Sequence, residues 1–149
     1  MNFYSAYDHG FVRVAACTHH AAIGDPAANG DSVLRLAREC HEDGVALAVF
    51  PELTLSGYSI EDILLQDALL DTVEDALLDI VASSVDLLPV LVVGAPVRYR
   101  NRVYNTAAVI HRGVLLLSLI HIFSAGSAGS RRRHRNQRCP GVGQGRGDR

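Results

Sequence analysis

At 149 residues the chain has the length of one domain, and its formal charge of −2 conceals two unlike segments. Residues 1–113 carry fifteen acids against seven arginines, whereas residues 114–149 carry seven arginines against Asp148 alone. No apolar stretch reaches the roughly 18 residues of a membrane span, and the opening Met1–His9 lacks the basic head and apolar run of a signal peptide, so a soluble cytoplasmic chain with no membrane partner is expected.

Cys17, Cys40 and Cys139 sit in no metal-ligand or disulfide spacing, and their odd count argues against a closed disulfide framework and for a reducing compartment. The neighbouring His19, His20 and His41 complete no usual zinc motif, and no metal site is expected. Every Lys-or-Arg position is arginine, so chemistry that needs a lysine lacks its residue here.

In chain order, Phe11–Cys17 is a short β-rich apolar run and the first expected strand. Gly24, Asp25 and Pro26 then give turn chemistry, with Asp25 placed to cap a helix that begins between Pro26 and Ser32. Val33, Leu34, Leu36, Ala37 and Cys40 share one helical face, and Gly44 supplies a left-handed stop. Val45–Phe50 is continuously apolar, as in a strand covered on both faces. Strand, helix and strand within about forty residues predict a βαβ unit with parallel strands.

The second strand runs directly into Glu52 and a Gly-containing loop. An acid at that place stands at the carboxyl edge of an α/β sheet, where such folds bind ligands. The plainer reading is a helix-capping or solvated loop acid. Glu61–Ser83 predicts one helix with an acidic stripe of Asp67, Asp71, Glu74, Asp75 and Asp79, read as its solvated face.

Val90–Val93 predicts a third buried strand ended by Gly94, Ala95 and Pro96, followed by a hairpin that turns at Asn101. Arg98, Arg100 and Arg102 near its tip are read as solvated rather than phosphate-binding. Beyond Gly113 the pattern changes to an apolar run over 114–123, a Ser/Ala/Gly repeat over 124–130 and an Arg- and Gly-rich end. Residues 124–149 have almost nothing to bury and are expected to be disordered. Arg131–Arg135 lacks interleaved aromatics, so no nucleic-acid partner is expected, and the glycines of 141–147 follow no strand and make no phosphate loop.

The segment Val49–Tyr58 (VFPELTLSGY) resembles the first signature of the nitrilase, or carbon-nitrogen hydrolase, superfamily. Its continuation over Gly57–Gln66 (GYSIEDILLQ) is similar to the glutaminase domain of the glutamine-dependent NAD synthetase family, as are Phe3–Tyr7, Phe11–Cys17, Gly94–Pro96 and Tyr104–Ala107. The resemblance covers residues 1–113 and implies a partial α-β-β-α sandwich of the α/β class, with 114–149 a non-family tail typical of a shifted reading frame.

It also implies a Glu, Lys, Cys catalytic set that hydrolyses glutamine through a thioester. Glu52 takes the general base position, and Tyr58 that of a residue lining the glutamine pocket; from the residues alone, a loop tyrosine against the sheet edge is the other reading of Tyr58. The family lysine would fall at His121, and none of the three cysteines stands in a nucleophile position, so the chain alone is expected to be inactive.

The family's ATP and magnesium belong to a synthetase domain outside this chain, which is expected to hold no cofactor itself; a homo-oligomer is implied for the longer family proteins. The alternatives are a fragment of another superfamily amidase, or a non-catalytic binding module with a basic tail.

Overall fold

A computed structural model describes residues 6–121. Five strands form one sheet in chain order: β1 (Val14–Ala16), β2 (Leu47–Val49), β3 (Val90–Tyr99), β4 (Arg102–His111) and β5 (Val114–His121). The first three are parallel, whereas β4 runs antiparallel to β3 and β5 antiparallel to β4. Helix α1 (Pro26–Glu42) joins β1 to β2, and α2 (Asp67–Ser83) joins β2 to β3. Two crossovers advancing in one direction along a sheet place their helices on one face when both have the usual right hand. Here α1 and α2 share one apolar cluster with the sheet.

Register shows which face is which. Ala48, Leu91 and Ile110 form a row across the sheet, all fully buried under the helices with Val33, Ala37, Val73 and Ile80. One residue along, Ala16, Val49, Val92 and Val109 form the row of the opposite face, where Val49 is 41% exposed. The described residues therefore make one helical layer and one sheet layer, a mixed α/β arrangement that fits part of the expected sandwich.

Local chemistry accounts for the boundaries of α1. The Asp25 carboxylate accepts from Ala28 N at 3.1 Å, Pro26 occupies the first turn, and the chain leaves through Gly44 at φ 65°. That left-handed conformation suits glycine.

Four expectations need correction. The helix expected over Glu61–Ser83 is interrupted: a 3-10 segment at Glu61–Leu65 is separated from α2 by Gln66, whose ψ of 127° is extended. Ile60 is anchored in the core, so the chain must turn before α2 can lie along the sheet. Arg98 fixes the start of α2 by donating to Asp67 and Asp71, which gives part of the acidic stripe a partner.

The first strand is also shorter than Phe11–Cys17, because it pairs with the three-residue β2 alone and leaves Phe11 and Val12 exposed. For the same reason the paired part of Val45–Phe50 is Leu47–Val49.

The fourth correction concerns Gly94, Ala95 and Pro96, which do not end the third strand. The ladder continues through Tyr99. Proline removes a ladder donor and is tolerated where a strand has a free side. Pairing of β3 with β2 stops at Val92, so Pro96 has a ladder neighbour only in β4. The hairpin turns where expected, with Arg100 and Asn101 at φ 47° and 60°. The Gly113 position is a second turn of this kind, after which β5 adds to β4.

The family resemblance at Phe3–Tyr7 lies partly outside the described residues. The expected disordered end, Cys139 and Arg131–Arg135 lie wholly outside them.

Candidate functional site

Glu52 follows β2 at the carboxyl edge of the parallel strands. Residues 53–57 of its loop are buried, whereas Glu52 and Tyr58 are exposed at either side. The loop is held by its own backbone: Gly57 N donates to Leu53 O at 2.8 Å, and Leu55 N donates to Gly94 O at 3.2 Å. Asn29, fully buried on α1, joins this loop to the one after β1. Its Nδ2 donates to Leu55 O at 3.0 Å and to Ala22 O at 2.7 Å, while its Oδ1 accepts from Ala22 N at 2.8 Å. Leu53, next to Glu52, adopts φ 51°, a costly backbone for a side chain with Cβ, and is held there by a 96% buried setting.

Gly94 admits this loop onto the sheet. A Cβ at Gly94 would stand 2.3 Å from Pro51 O, 2.7 Å from Leu53 N and 2.9 Å from Glu52 Cα. The strand thus lacks a side chain at the point where the Glu52 backbone crosses it. In the sequence this position resembles a strand stop, but a glycine between apolar strand residues also marks close approach of another backbone.

The carboxylate itself is met from β4. Asn105 Nδ2 donates to Glu52 Oε1. Asn105 pairs in register with Pro96 of β3 on one side and with His121 of β5 on the other. Three positions are therefore gathered although they are far apart in the chain: Glu52, Asn105, and through the backbone ladder residue 121. Val49, Phe50, Pro51, Glu52, Val92, Gly94, Asn105, Thr106 and Ala107 line a cleft of about 370 Å³ at this place. It opens on the sheet face away from the helices. Tyr58 is 73% exposed and does not line the cleft.

The two described cysteines are elsewhere. Cys17 and Cys40 lie in the helix–sheet core with their Sγ atoms 3.7 Å apart. Burial, followed by the hydrogen bond and charge of Cys40, pushes the Cys17 thiol up from an ordinary 9.0 to about 11. Such a thiol is almost wholly protonated near neutrality and is a poor nucleophile. Among the described residues no group of three His, Cys, Asp or Glu side chains could hold a metal ion, and no helix is long and apolar enough to cross a membrane.

Chemically, the arrangement offers one carboxylate oriented by a neutral amide at the rim of a mostly apolar cleft. It can accept a proton and orient a polar ligand. Among the described residues, Cys17 and Cys40 belong to the helix–sheet core and line no part of this cleft.

The chain is 79% identical over 116 residues to the glutamine-dependent NAD(+) synthetase of Mycobacterium tuberculosis and 76% identical over 116 residues to that of Mycobacterium leprae. Each match covers 78% of this chain and 17% of the relative, so the chain spans less than a fifth of those proteins.

Among solved structures, the glutamine-dependent NAD+ synthetase of Acinetobacter baumannii superposes with a TM-score of 0.67 at 26% identity, covering 77% of this chain and 22% of that one. An amidase from Nesterenkonia sp. gives 0.63 at 26% identity, covering 78% and 44%. The carbon-nitrogen hydrolase family model matches residues 13–141, continuing past Gly113. The chain belongs to the carbon-nitrogen hydrolase family.

Proposed function

We propose that this chain is a fragment of the ammonia-supplying glutaminase domain of a glutamine-dependent NAD synthetase, with Glu52 as its general base. The observation that carries the reading is the construction around Glu52: a loop seated over Gly94, a carboxylate met by Asn105, and a cleft beneath it. The high identity to mycobacterial synthetases selects this class over a stand-alone amidase.

In the proposed reaction a cysteine thiol gives its proton to Glu52 and attacks the side-chain amide carbon of glutamine. Glu52 returns the proton to the departing nitrogen, ammonia leaves a thioester, and water then hydrolyses that thioester to glutamate and the free thiol. A positioned base serves this chemistry because the thiolate is the nucleophile. Cys17 and Cys40 are buried away from Glu52, so the nucleophile belongs to polypeptide outside the described residues. The lysine of the catalytic set is replaced at residue 121 by histidine.

It follows that the 149-residue chain alone releases no ammonia from glutamine. Tyr58 is assigned to the glutamine pocket. ATP and magnesium chemistry, assembly into oligomers and a cytoplasmic location are assigned to the longer synthetase.

A chimera tests the reading. Residues 1–113 replace the matching region of the Mycobacterium tuberculosis relative, which supplies the remaining catalytic positions. Glutamine-dependent NAD formation is expected, and Glu52→Gln in the chimera should abolish it while synthesis from added ammonia continues. A folded chimera that uses ammonia but never glutamine would sink the proposal.

A further inference from the structure

The cleft contains one polar side chain, besides Glu52, whose contact bears on the proposed reaction. We infer that Asn105 is a positioning residue for Glu52, fixing the carboxylate rotamer and leaving Oε2 as the oxygen that receives the proton. The inference rests on Glu52 being the base of the glutaminase reading.

Glu52 needs such a contact. It stands exposed on a loop, and a glutamate free in solvent samples several rotamers whose loss carries an entropic cost. A base that must be found in one place during each encounter loses rate when its geometry wanders. Asn105 is suited to hold it. Its side chain is short and rises from β4, a strand with a ladder partner on both sides at that residue, so its backbone position is determined by β3 and β5 together.

The type of donor also suits a base. A guanidinium beside a carboxylate adds a full opposite charge that favours the deprotonated form and weakens its capacity to take a proton, whereas a carboxamide orients it without net charge. The ion pairs among the described residues involve Arg35 and Arg98, each with acids other than Glu52. Asn105 is also the one hydrogen-bond partner that reaches the Glu52 carboxylate among those residues, and it engages Oε1. Oε2 therefore has no hydrogen-bond partner among the described residues.

The test uses the 149-residue chain labelled with 15N and 13C and observed by NMR. The Nδ2 protons of Asn105 should shift through the same midpoint as the Glu52 carboxyl carbon, and in Glu52→Gln they should stay still over that pH range. In Asn105→Ala, with the backbone amide spectrum otherwise retained, the three-bond couplings of Glu52 should change from those of one rotamer to an average.

Asn105 protons indifferent to the ionisation of Glu52 overturn the inference, as do Glu52 couplings unchanged in Asn105→Ala. If Asn105→Ala does not fold, the near-isosteric Glu52→Gln comparison decides the matter. Neither measurement uses glutamine, so failure here counts against the role of Asn105, whereas failure of the chimera counts against the glutaminase reading.

Discussion

Gly94 and Glu52 are neighbours across the sheet surface: a methyl group on Gly94 would stand 2.9 Å from the Glu52 Cα. The contact is with backbone, which cannot rotate aside as a side chain can. Gly94→Ala is therefore expected to lift the Pro51–Leu53 segment and to cost about 1–3 kcal/mol, the usual range for overpacking. Urea denaturation measures the loss, and the Asn105 side-chain resonances report whether Glu52 has left its partner. Unchanged stability and unchanged resonances would count against this steric account.

Asn29→Ala should be among the costlier single changes outside the apolar core. It deletes three hydrogen bonds and leaves the buried Leu55 carbonyl without its amide donor. A loss on the order of 2–3 kcal/mol is expected, because an orphaned buried polar group costs more than the bond it had gained. The denaturation midpoint of the variant checks this, with Asn29→Asp separating the lost donor from the lost acceptor.

The buried thiol gives an alkaline limit to stability. Cys17 is held protonated up to about 11 in the fold, against an ordinary 9.0. The folded state thus binds the proton more tightly than the unfolded state. Its contribution is complete below pH 9 and declines as pH rises from there through 11, by on the order of 2 kcal/mol. Cys17→Ala should flatten that decline in a series of denaturation curves between pH 8 and 11. Alkylation of Cys17 by iodoacetamide at pH 8 should also be slow in the folded chain and rapid in urea.

Much of the scaffold was legible because its signals are local. Asp25, Pro26 and Gly44 mark the limits of α1, and Asn101 marks the hairpin, each through the backbone geometry that residue type favours. The location of Glu52 followed from an apolar run ending in an acid. The parts that escaped depend on distant neighbours. Gly94 reads as a stop until Pro51 is known to lie on it, and Pro96 reads as a breaker until β2 is seen to end beside Val92. The link from Asn105 to Glu52 spans 53 positions and has no periodicity to announce it. Gln66 likewise offers no Gly or Pro to signal the break before α2.

The hairpin tip offers a prediction of the opposite sign. Arg100 and Asn101 both occupy left-handed backbone, which asparagine and glycine tolerate better than arginine does. Arg100→Asn combined with Asn101→Gly is expected to stabilise the chain by roughly 0.5–1 kcal/mol. Thermal denaturation would show it, and a fall in the melting temperature would contradict the turn geometry. The reading-frame proposal for residues 114–149 is separate and is tested on DNA: a native frame confirmed across codons 110–149 would remove it.

The ladder between β3 and β4 has a consequence for what insertions the sequence can survive. Ala95 faces Thr106, and Pro96 faces Asn105, so a slip of one residue along either strand would exchange the cleft side of the sheet for the helix side. A single codon gained or lost within 94–99 or 102–107 would move Asn105 out of alignment with Glu52 even if every hydrogen bond of the hairpin formed again. Residues added between Tyr99 and Arg102 only lengthen a solvated tip. Natural length variation should therefore collect at the tip and be purged from the two strand arms, a record readable in genomes without purifying any protein.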